Sequence, residues 1–449
     1  MFDIILKRKV YEDILKWKQE YAPNYVLFLK GARRVGKTTL AELVGKNEYE
    51  SYMKISFDNA SSVVKDMFVE ELNNLNLFYQ KLQSIYSKKL FIRKSLIILD
   101  EIQLFPEARQ ALKTLLEDGR YDFIETGSLA GITRKSKKML IPSEEYTIDV
   151  LPLDFEEFLW AMNDVFTIDV LKEHYESLKP FGQLRKEYMN KFREYMLVGG
   201  MPQAVVKYIE TKDFEKVDFV KKTIINLYRN DIEEQKETNS TYVSSFFDMI
   251  PSELSKHDKV FKLVHIGKNA RMREYGEPIN WLDEAMIVNI AHNSTDPSVA
   301  LNLNLTDTTF KCYLMDTGLL VTLTYDTGSY LDNEIYKAIL LDKLHVNEGM
   351  ILENIVAQAL RSKGEKMYFY TKTDKDKKTT IMEIDFMIRR NKKIIPIEVK
   401  SGDKFTTVSL RKYKQMFTNR IGVQYVLYNG DIKTEGEIIY LPYFMISVI

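Results

Sequence analysis

Between Tyr25 and Val44 the chain reads YVLFLKGARRVGKTTLAELV. The apolar run Tyr25 to Leu29 predicts a buried strand, and Thr39 to Val44 has helix-forming character. Gly31-Ala32-Arg33-Arg34-Val35-Gly36-Lys37-Thr38 lies between them. Strand, loop, helix is the context in which G-x-x-x-x-G-K-T carries chemistry. Main-chain N–H groups of Gly31, Ala32, Arg33, Arg34, Val35 and Gly36, with the positive helix end through Thr39, would cradle phosphates. Lys37 would reach the β- and γ-phosphates of ATP, and Thr38 would ligate Mg²⁺. The plain alternative is a glycine-rich turn with no ligand.

Ser95-Leu96-Ile97-Ile98-Leu99-Asp100-Glu101 strengthens the nucleotide reading. It predicts a strand buried on both faces that ends in two carboxylates, a Walker B pattern. Asp100 would hold Mg²⁺ through water, and Glu101 would orient or deprotonate the attacking water. Two acids at a strand end can instead cap the next helix; with the phosphate loop upstream, hydrolysis is the better reading. Phe123 to Ser128 (FIETGS) is the next strand-to-loop transition. Ligands gather at the carboxyl ends of such strands, so Thr126 or Ser128 could bond the γ-phosphate or the water. A hydroxyl satisfying a turn is the alternative.

Composition sets the frame. At 449 residues the chain suggests about three domains. With 45% hydrophobic and 29% charged residues it reads as globular, not disordered. Lys plus Arg equals Asp plus Glu at 64 each, so no global field recruits nucleic acid and local patches must do so. One cysteine, Cys312, allows no internal disulfide and suggests a reducing compartment and a core position. The start of the chain lacks the long apolar region of a leader. The apolar stretch from Ile438 to Ile449 falls short of the ~20 residues a bilayer needs. The expectation is a cytoplasmic protein with no membrane partner.

Residues 1–153 alternate strands and helices, which predicts a mostly parallel sheet. Residues 154–240 carry helical patterns broken at Gly199-Gly200-Met201-Pro202. Residues 241–335 predict two helices, around Phe246–Ser255 and Pro278–Val288, then strand character from Lys311 to Leu320. A winged-helix module fits that order; a rigid spacer is the alternative, because no dense basic face is present.

In residues 336–449, Glu348 to Leu360 predicts a helix bearing Glu353 and Gln358. Met382 to Ile388 and Lys393 to Lys400 flank Arg389-Arg390-Asn391-Lys392 and predict a β-hairpin. Folding about Asn391–Lys392 sets Asp385 almost opposite Glu398. Strand period puts Glu398 and Lys400 on one face. Asp385 and Glu398 would bind Mg²⁺ or Mn²⁺, Glu353 would complete the metal sphere, and Lys400 would position the water or steady phosphate charge. This set resembles the restriction-endonuclease-like nuclease fold, although Ile384 stands where a proline is usual. The alternatives are a cross-strand salt bridge or a nuclease-like fold without activity. Basic runs at Lys372–Lys378 and Arg389–Lys393 could hold a phosphate backbone, or be solvated loops.

GARRVGKT, SLIILDEIQ, ETGSLA, VLPLDFEEFL, YMLVGGMPQAV, LYRNDI, IPSELSK, MDTGLL, EIDFMI and PIEVKSG, in that order, resemble a family of bacterial and archaeal AAA-type ATP-binding proteins. The resemblance covers nearly the whole chain. It implies an AAA core, a helical lid over 154–240 and a C-terminal domain of unassigned function. Where family members often carry a Gly-Arg pair, this chain reads Ser143-Glu144-Glu145-Tyr146, so it would use another arginine, with Arg134 and Arg229 as candidates, or hydrolyse weakly; an ordinary surface or ion-pair residue is the alternative for either. The expectation is an α/β ATPase whose cycle controls a nuclease-like domain acting on nucleic acid, DNA ahead of RNA, in a homo-oligomer. The alternative is a nucleotide-dependent switch or scaffold that cuts nothing.

Overall fold

The computed structural model describes the chain apart from residues 1–3, 129–143, 235–239, 257–258, 262–271, 298–299, 326–333, 335, 337, 339–347, 374–379 and 403. Arg134 and most of the basic run Lys372–Lys378 lie outside the described residues.

Helix α1 (Val10–Glu20) buries Ile14 and Trp17 and leads to β1 (Val26–Lys30) and α2 (Lys37–Glu48). Then follow β2 (Ser51–Ser56), α3 (Ser62–Glu70), α4 (Leu75–Tyr86), β3 (Ser95–Asp100), α5 (Pro106–Asp118), β4 (Asp122–Gly127) and β5 (Glu145–Asp149). These strands form an all-parallel sheet in the order β2-β3-β4-β1-β5. Every residue of β3 is buried, as a parallel strand covered on both faces requires. The strand carrying Thr126 therefore lies between the phosphate-loop strand and the Asp100 strand.

A helical layer follows: α6 (Phe155–Ala161), α7 (Thr167–Ser177), α8 (Leu184–Val198), α9 (Pro202–Thr211), α10 (Phe214–Glu234), α11 (Ser240–Leu254) and α12 (Met272–Glu284). Asp154 and Glu157 form a reciprocal capping box that starts α6. Pro202 starts α9 at a position where its missing N–H costs nothing.

The remaining elements are β6 (Val288–Ser294), β7 (Leu305–Leu314), α13 (Thr317–Thr324), α14 (Glu348–Ser362), β8 (Tyr368–Thr373), β9 (Thr380–Arg390), β10 (Lys393–Lys400), α15 (Val408–Met416), β11 (Gln424–Tyr428), β12 (Lys433–Glu435) and β13 (Ile438–Pro442). They build a mixed sheet in the order β12-β13-β11-β10-β9-β8-β6-β7. The two helices expected in the middle segment correspond to α11 and α12, but the second ends at Glu284 and Val288, expected within it, opens β6. Its strands, β6 and β7, pair with each other, and β6 pairs with β8, so strands of the middle and C-terminal segments share one sheet. Strand character expected through Leu320 stops at Leu314, because Asp316 turns the chain and caps α13 through the Leu319 N–H at 2.9 Å.

One apolar core runs without a break from Leu27 and Leu29 of β1, through Phe155, Phe192 and Ile224 of the helical layer, to Ile397 of β10 and Phe444. Separate clusters cover the outer faces of the two sheets. Cys312 is buried and free. Among the described residues no helix is long and apolar enough to cross a membrane.

The Gly199-Gly200 turn is where three layers meet. Gly199 has φ +81°. The Gly200 N–H donates to Asp316 Oδ2 at 2.5 Å, and its carbonyl accepts from the Leu153 N–H at 2.7 Å. A β-carbon at Gly200 would overlap the Leu153 backbone. Gly200→Ala is therefore expected to lower stability by about 1–3 kcal/mol, read by urea unfolding; a change below a few tenths would show the turn to be slack.

Candidate active site

The phosphate loop is a strained turn held from outside. Gly36 sits at φ +97° and Arg34 at φ +69°, conformations that turn successive N–H groups toward one concavity. Lys37 opens α2 and is buried. Its Nζ donates to the carbonyls of Gly31 at 2.9 Å and Ala32 at 2.8 Å, bonds that a phosphate would replace. Burial pushes its pKa down to about 8, opposed by Glu101 and Asp100.

Asp100, buried at the end of β3, gathers hydroxyls from three elements. Thr38 Oγ1 donates to Oδ1 at 2.7 Å, Ser56 Oγ donates to Oδ2 at 3.0 Å, and Thr126 Oγ1 also donates to Oδ1. Thr38 and Asp100 thus meet as a hydroxyl and a carboxylate, a hard oxygen set that fits Mg²⁺ beside a nucleotide. Glu101 adopts φ +54° and accepts from Gln103 Nε2. Ser128 is buried beyond the end of β4. The structure gathers Lys37, Thr38, Asp100, Glu101 and Thr126 at the carboxyl ends of β1, β3 and β4.

Sequence reasoning missed the groups that grip the loop from behind. Arg8 Nη1 donates to the Val35 carbonyl at 3.1 Å, and its Nε pairs with Glu157 at 3.2 Å. Tyr228, on α10, donates to the Arg33 carbonyl at 2.8 Å. Asp231, one turn further on, holds Arg33 Nη1 at 2.6 Å. Each lies far from the loop in sequence; only the acidic residue closing the LYRND segment hinted at a partner. Arg229 pairs with Asp248 of α11 at 2.9 Å.

The far-end carboxylates converge too. The hairpin register runs to Ile397 opposite Phe386, and Asp385 and Glu398 are the next residues on the two strands. Asp385 Oδ2 accepts from the Val399 N–H at 2.9 Å, and Lys400 pairs with Glu398. Burial pushes Glu398 up to about 8, with Asp385 adding to the effect and Lys400 opposing it. Burial also disfavours the Asp385 anion, but Lys311, Lys400 and Lys259 outweigh it and hold its pKa below the ordinary range. Glu353 of α14 accepts from Tyr313 at 3.0 Å and pairs with Lys259.

Three members of this cluster were not foreseen: Glu383, Lys259 and Lys311. Glu383 stands two residues from Asp385 on the same strand face, a period-two signal that could have been read. Lys311 is fully buried on β7 and lies 2.8 Å from Glu383, 3.5 Å from Glu353 and 3.5 Å from Asp385. A divalent metal does not fit the cluster as it stands, because an ammonium already sits among its carboxylates. Among the described residues no group of three or more His, Cys, Asp and Glu is disposed to hold a metal ion.

Parallel sheet, phosphate loop and the Asp100–Glu101 strand end give the N-terminal residues the layout of an AAA-type P-loop fold. Residues 23–159 match the model of an AAA domain. Residues 189–329 and 348–444 match two domains of unknown function, DUF8612 and DUF4143. The chain is thus similar to AAA domains in its N-terminal part and to two domains of unknown function after it. Two relatives come from Methanocaldococcus jannaschii. The uncharacterized protein MJ1544 is 21% identical over 91% of this chain and 83% of its own length. The uncharacterized protein MJ1637 is 23% identical over 98% and 87%. The Thermotoga maritima RuvB Holliday junction branch migration motor is 12% identical over 63% of this chain and 89% of that one, with a TM-score of 0.28.

Burial pushes the Asp231 pKa up to about 6, with Arg33 opposing. Folding thus favours its protonated form, so this residue adds stability as pH falls through about 6 toward the ordinary carboxylate range. The same protonation removes the charge that holds Arg33. ATP affinity of the native chain is expected to strengthen as pH falls through about 6, and Asp231→Asn should abolish that step; titrations at several pH values check it.

Proposed function

We propose that the chain is an ATP-hydrolysing switch whose nucleotide state is transmitted to the C-terminal mixed-sheet domain. The observation that carries the reading is the meeting of Thr38, Ser56 and Thr126 on Asp100, beside Glu101. When bound, Mg²⁺ would neutralise charge on the β- and γ-phosphate oxygens. The chain's own groups do the rest. Lys37 leaves the loop carbonyls for the phosphates, Thr126 stands between the two phosphate-binding strands, and Glu101 takes the proton of the attacking water. An arginine finger would come from a neighbouring copy in a homo-oligomer.

Transmission is supported by buried polar contacts along α10 and beyond. At one end Tyr228 and Asp231 hold the phosphate loop. At the other, Asp218 accepts from Thr322 at 2.8 Å and Tyr336 at 2.7 Å, which ties α10 to α13. The Thr317 N–H at the start of α13 donates to Gln358 Oε1 at 2.8 Å, on the helix that carries Glu353. ATP binding that moves Arg33 would therefore pull on the C-terminal cluster.

A second reading, a nucleotide-controlled nuclease, has in its favour Asp385 and Glu398 on adjacent strands with Lys400 beside Glu398, and against it the Lys311 ammonium among the carboxylates. For nucleic acid, a groove of about 670 Å³ offers Lys404, Arg411 and Lys433 with Phe405, Tyr428 and Tyr440. Cations interleaved with rings suit a single strand, DNA ahead of RNA.

Lys37→Ala is expected to weaken ATP binding on the order of 10- to 100-fold, the worth of lost charge-assisted hydrogen bonds. Glu101→Gln should keep binding and lose roughly 10²- to 10⁴-fold in turnover. Calorimetry and phosphate release measure the two; undiminished turnover in Glu101→Gln would remove that residue from the reaction. Incubation with single- and double-stranded DNA and RNA in Mg²⁺ or Mn²⁺ separates the readings. The switch predicts intact strands. Cleavage abolished by Asp385→Ala would establish the nuclease instead.

A further inference from the structure

The C-terminal cluster is assembled from two parts of the chain. Glu353, Glu383, Asp385, Glu398 and Lys400 come from α14, β9 and β10. Lys259 and Lys311 come from the middle segment, Lys311 on the edge strand β7 of the same sheet. Lys311 is 0% exposed, with its ammonium 2.8 Å from Glu383 Oε1 and 3.5 Å from Glu353 Oε2 and Asp385 Oδ1. The Phe369 ring lies 5.4 Å away, closing one side with an apolar face.

A buried cation of this kind is tolerated only when opposite charges compensate its lost hydration. Lys311 meets that condition with three carboxylates at once. Lys259 shares Glu353 with it, and Lys400 takes Glu398. Three lysines therefore face four carboxylates, and the cluster comes close to neutrality with no metal ion.

Spacing points the same way. The nearest contact, 2.8 Å, is the length of an ammonium–carboxylate hydrogen bond. Mg²⁺ would demand oxygens at about 2.0–2.1 Å in near-octahedral order. Drawing Glu353, Glu383 and Asp385 in that far, with Lys311 still among them, would set a divalent ion against an ammonium in a water-poor interior. That repulsion has no counterpart to offset it. The carboxylates are spaced for a nitrogen cation.

We propose that Lys311 is a resident counter-ion occupying the place a divalent metal would take among Glu353, Glu383 and Asp385, and that its removal uncovers a latent Mn²⁺ site. The domain then works as a metal-free module, locked to the middle segment by its own lysine. This deepens the switch reading above and rests on it for the C-terminal domain.

The test counts Mn²⁺ on the full-length chain without nucleotide, from the loss of the free-ion electron paramagnetic resonance signal. An Asp100→Asn background silences the phosphate-loop position. With Lys311 present, adding Asp385→Asn should leave the bound Mn²⁺ unchanged. Lys311→Met should gain about one Mn²⁺ per chain, bound on the order of tenfold or more tightly than before, since an adjacent positive charge has gone. Adding Asp385→Asn to Lys311→Met should abolish the gain. A folded Lys311→Met chain that gains no ion overturns the proposal. So does Mn²⁺ binding that depends on Asp385 while Lys311 is still in place. Should Lys311→Met fail to fold, Lys311→Gln, which also removes the charge, carries the same comparison, with the same gain expected and the same failure overturning the proposal. The metal readout needs no ATP, so a chain that proved unable to turn over ATP would leave it standing.

Discussion

Asp100 is the point on which the N-terminal sheet depends. Its two oxygens take hydroxyls from Thr38 on α2, Ser56 on β2 and Thr126 on β4, so one carboxylate fastens the helix after the phosphate loop to two neighbouring strands. A buried carboxylate is costly unless hydrogen bonds replace its water. Three hydroxyls do so here, and they keep oxygens gathered at the place where a nucleotide's metal would lie. Structural need and chemical readiness are met by the same contacts.

A similar economy governs the loop itself. Lys37 would be an unpaired cation in a dry crevice without the carbonyls of Gly31 and Ala32. Those bonds hold it in reserve, and burial makes it ready to accept an anion. Behind the loop, Arg8, Tyr228 and Asp231 fix carbonyls and a side chain that would otherwise be free to move. The phosphate loop is thus set by residues from α10 and the start of the chain as much as by its own glycines.

What the sequence made legible follows from the range of the forces involved. The phosphate loop, the Asp100 strand and the hairpin around Asn391 are local patterns, where periodicity and turn chemistry decide the outcome within a few residues. The hairpin register could be counted from its turn, so Asp385 and Glu398 could be placed opposite each other. Lys311 could not be placed that way. Its position depends on β6 and β7 adding to a sheet whose other strands lie far along the chain, and an isolated lysine between Phe310 and Cys312 gives only a hint that something buried answers its charge. That β6 and β7 of the middle segment would share a sheet with β8 and β9 was hidden for the same reason: strand pairing across distant segments leaves no mark in composition. Arg33 was foreseen as a main-chain contributor, but its side-chain partner Asp231 belongs to a helix that pattern alone could not orient.

The unbroken apolar interior shared by the two sheets limits how such a molecule can move. Among the described residues, packed side chains and not a waist of solvent lie between the two sheets. Any displacement born at the phosphate loop must travel as sliding between packed side chains, with α10 moving along its neighbours by small steps. The response is then stiff and short in reach, more like a key shifting a tumbler than an arm closing on cargo.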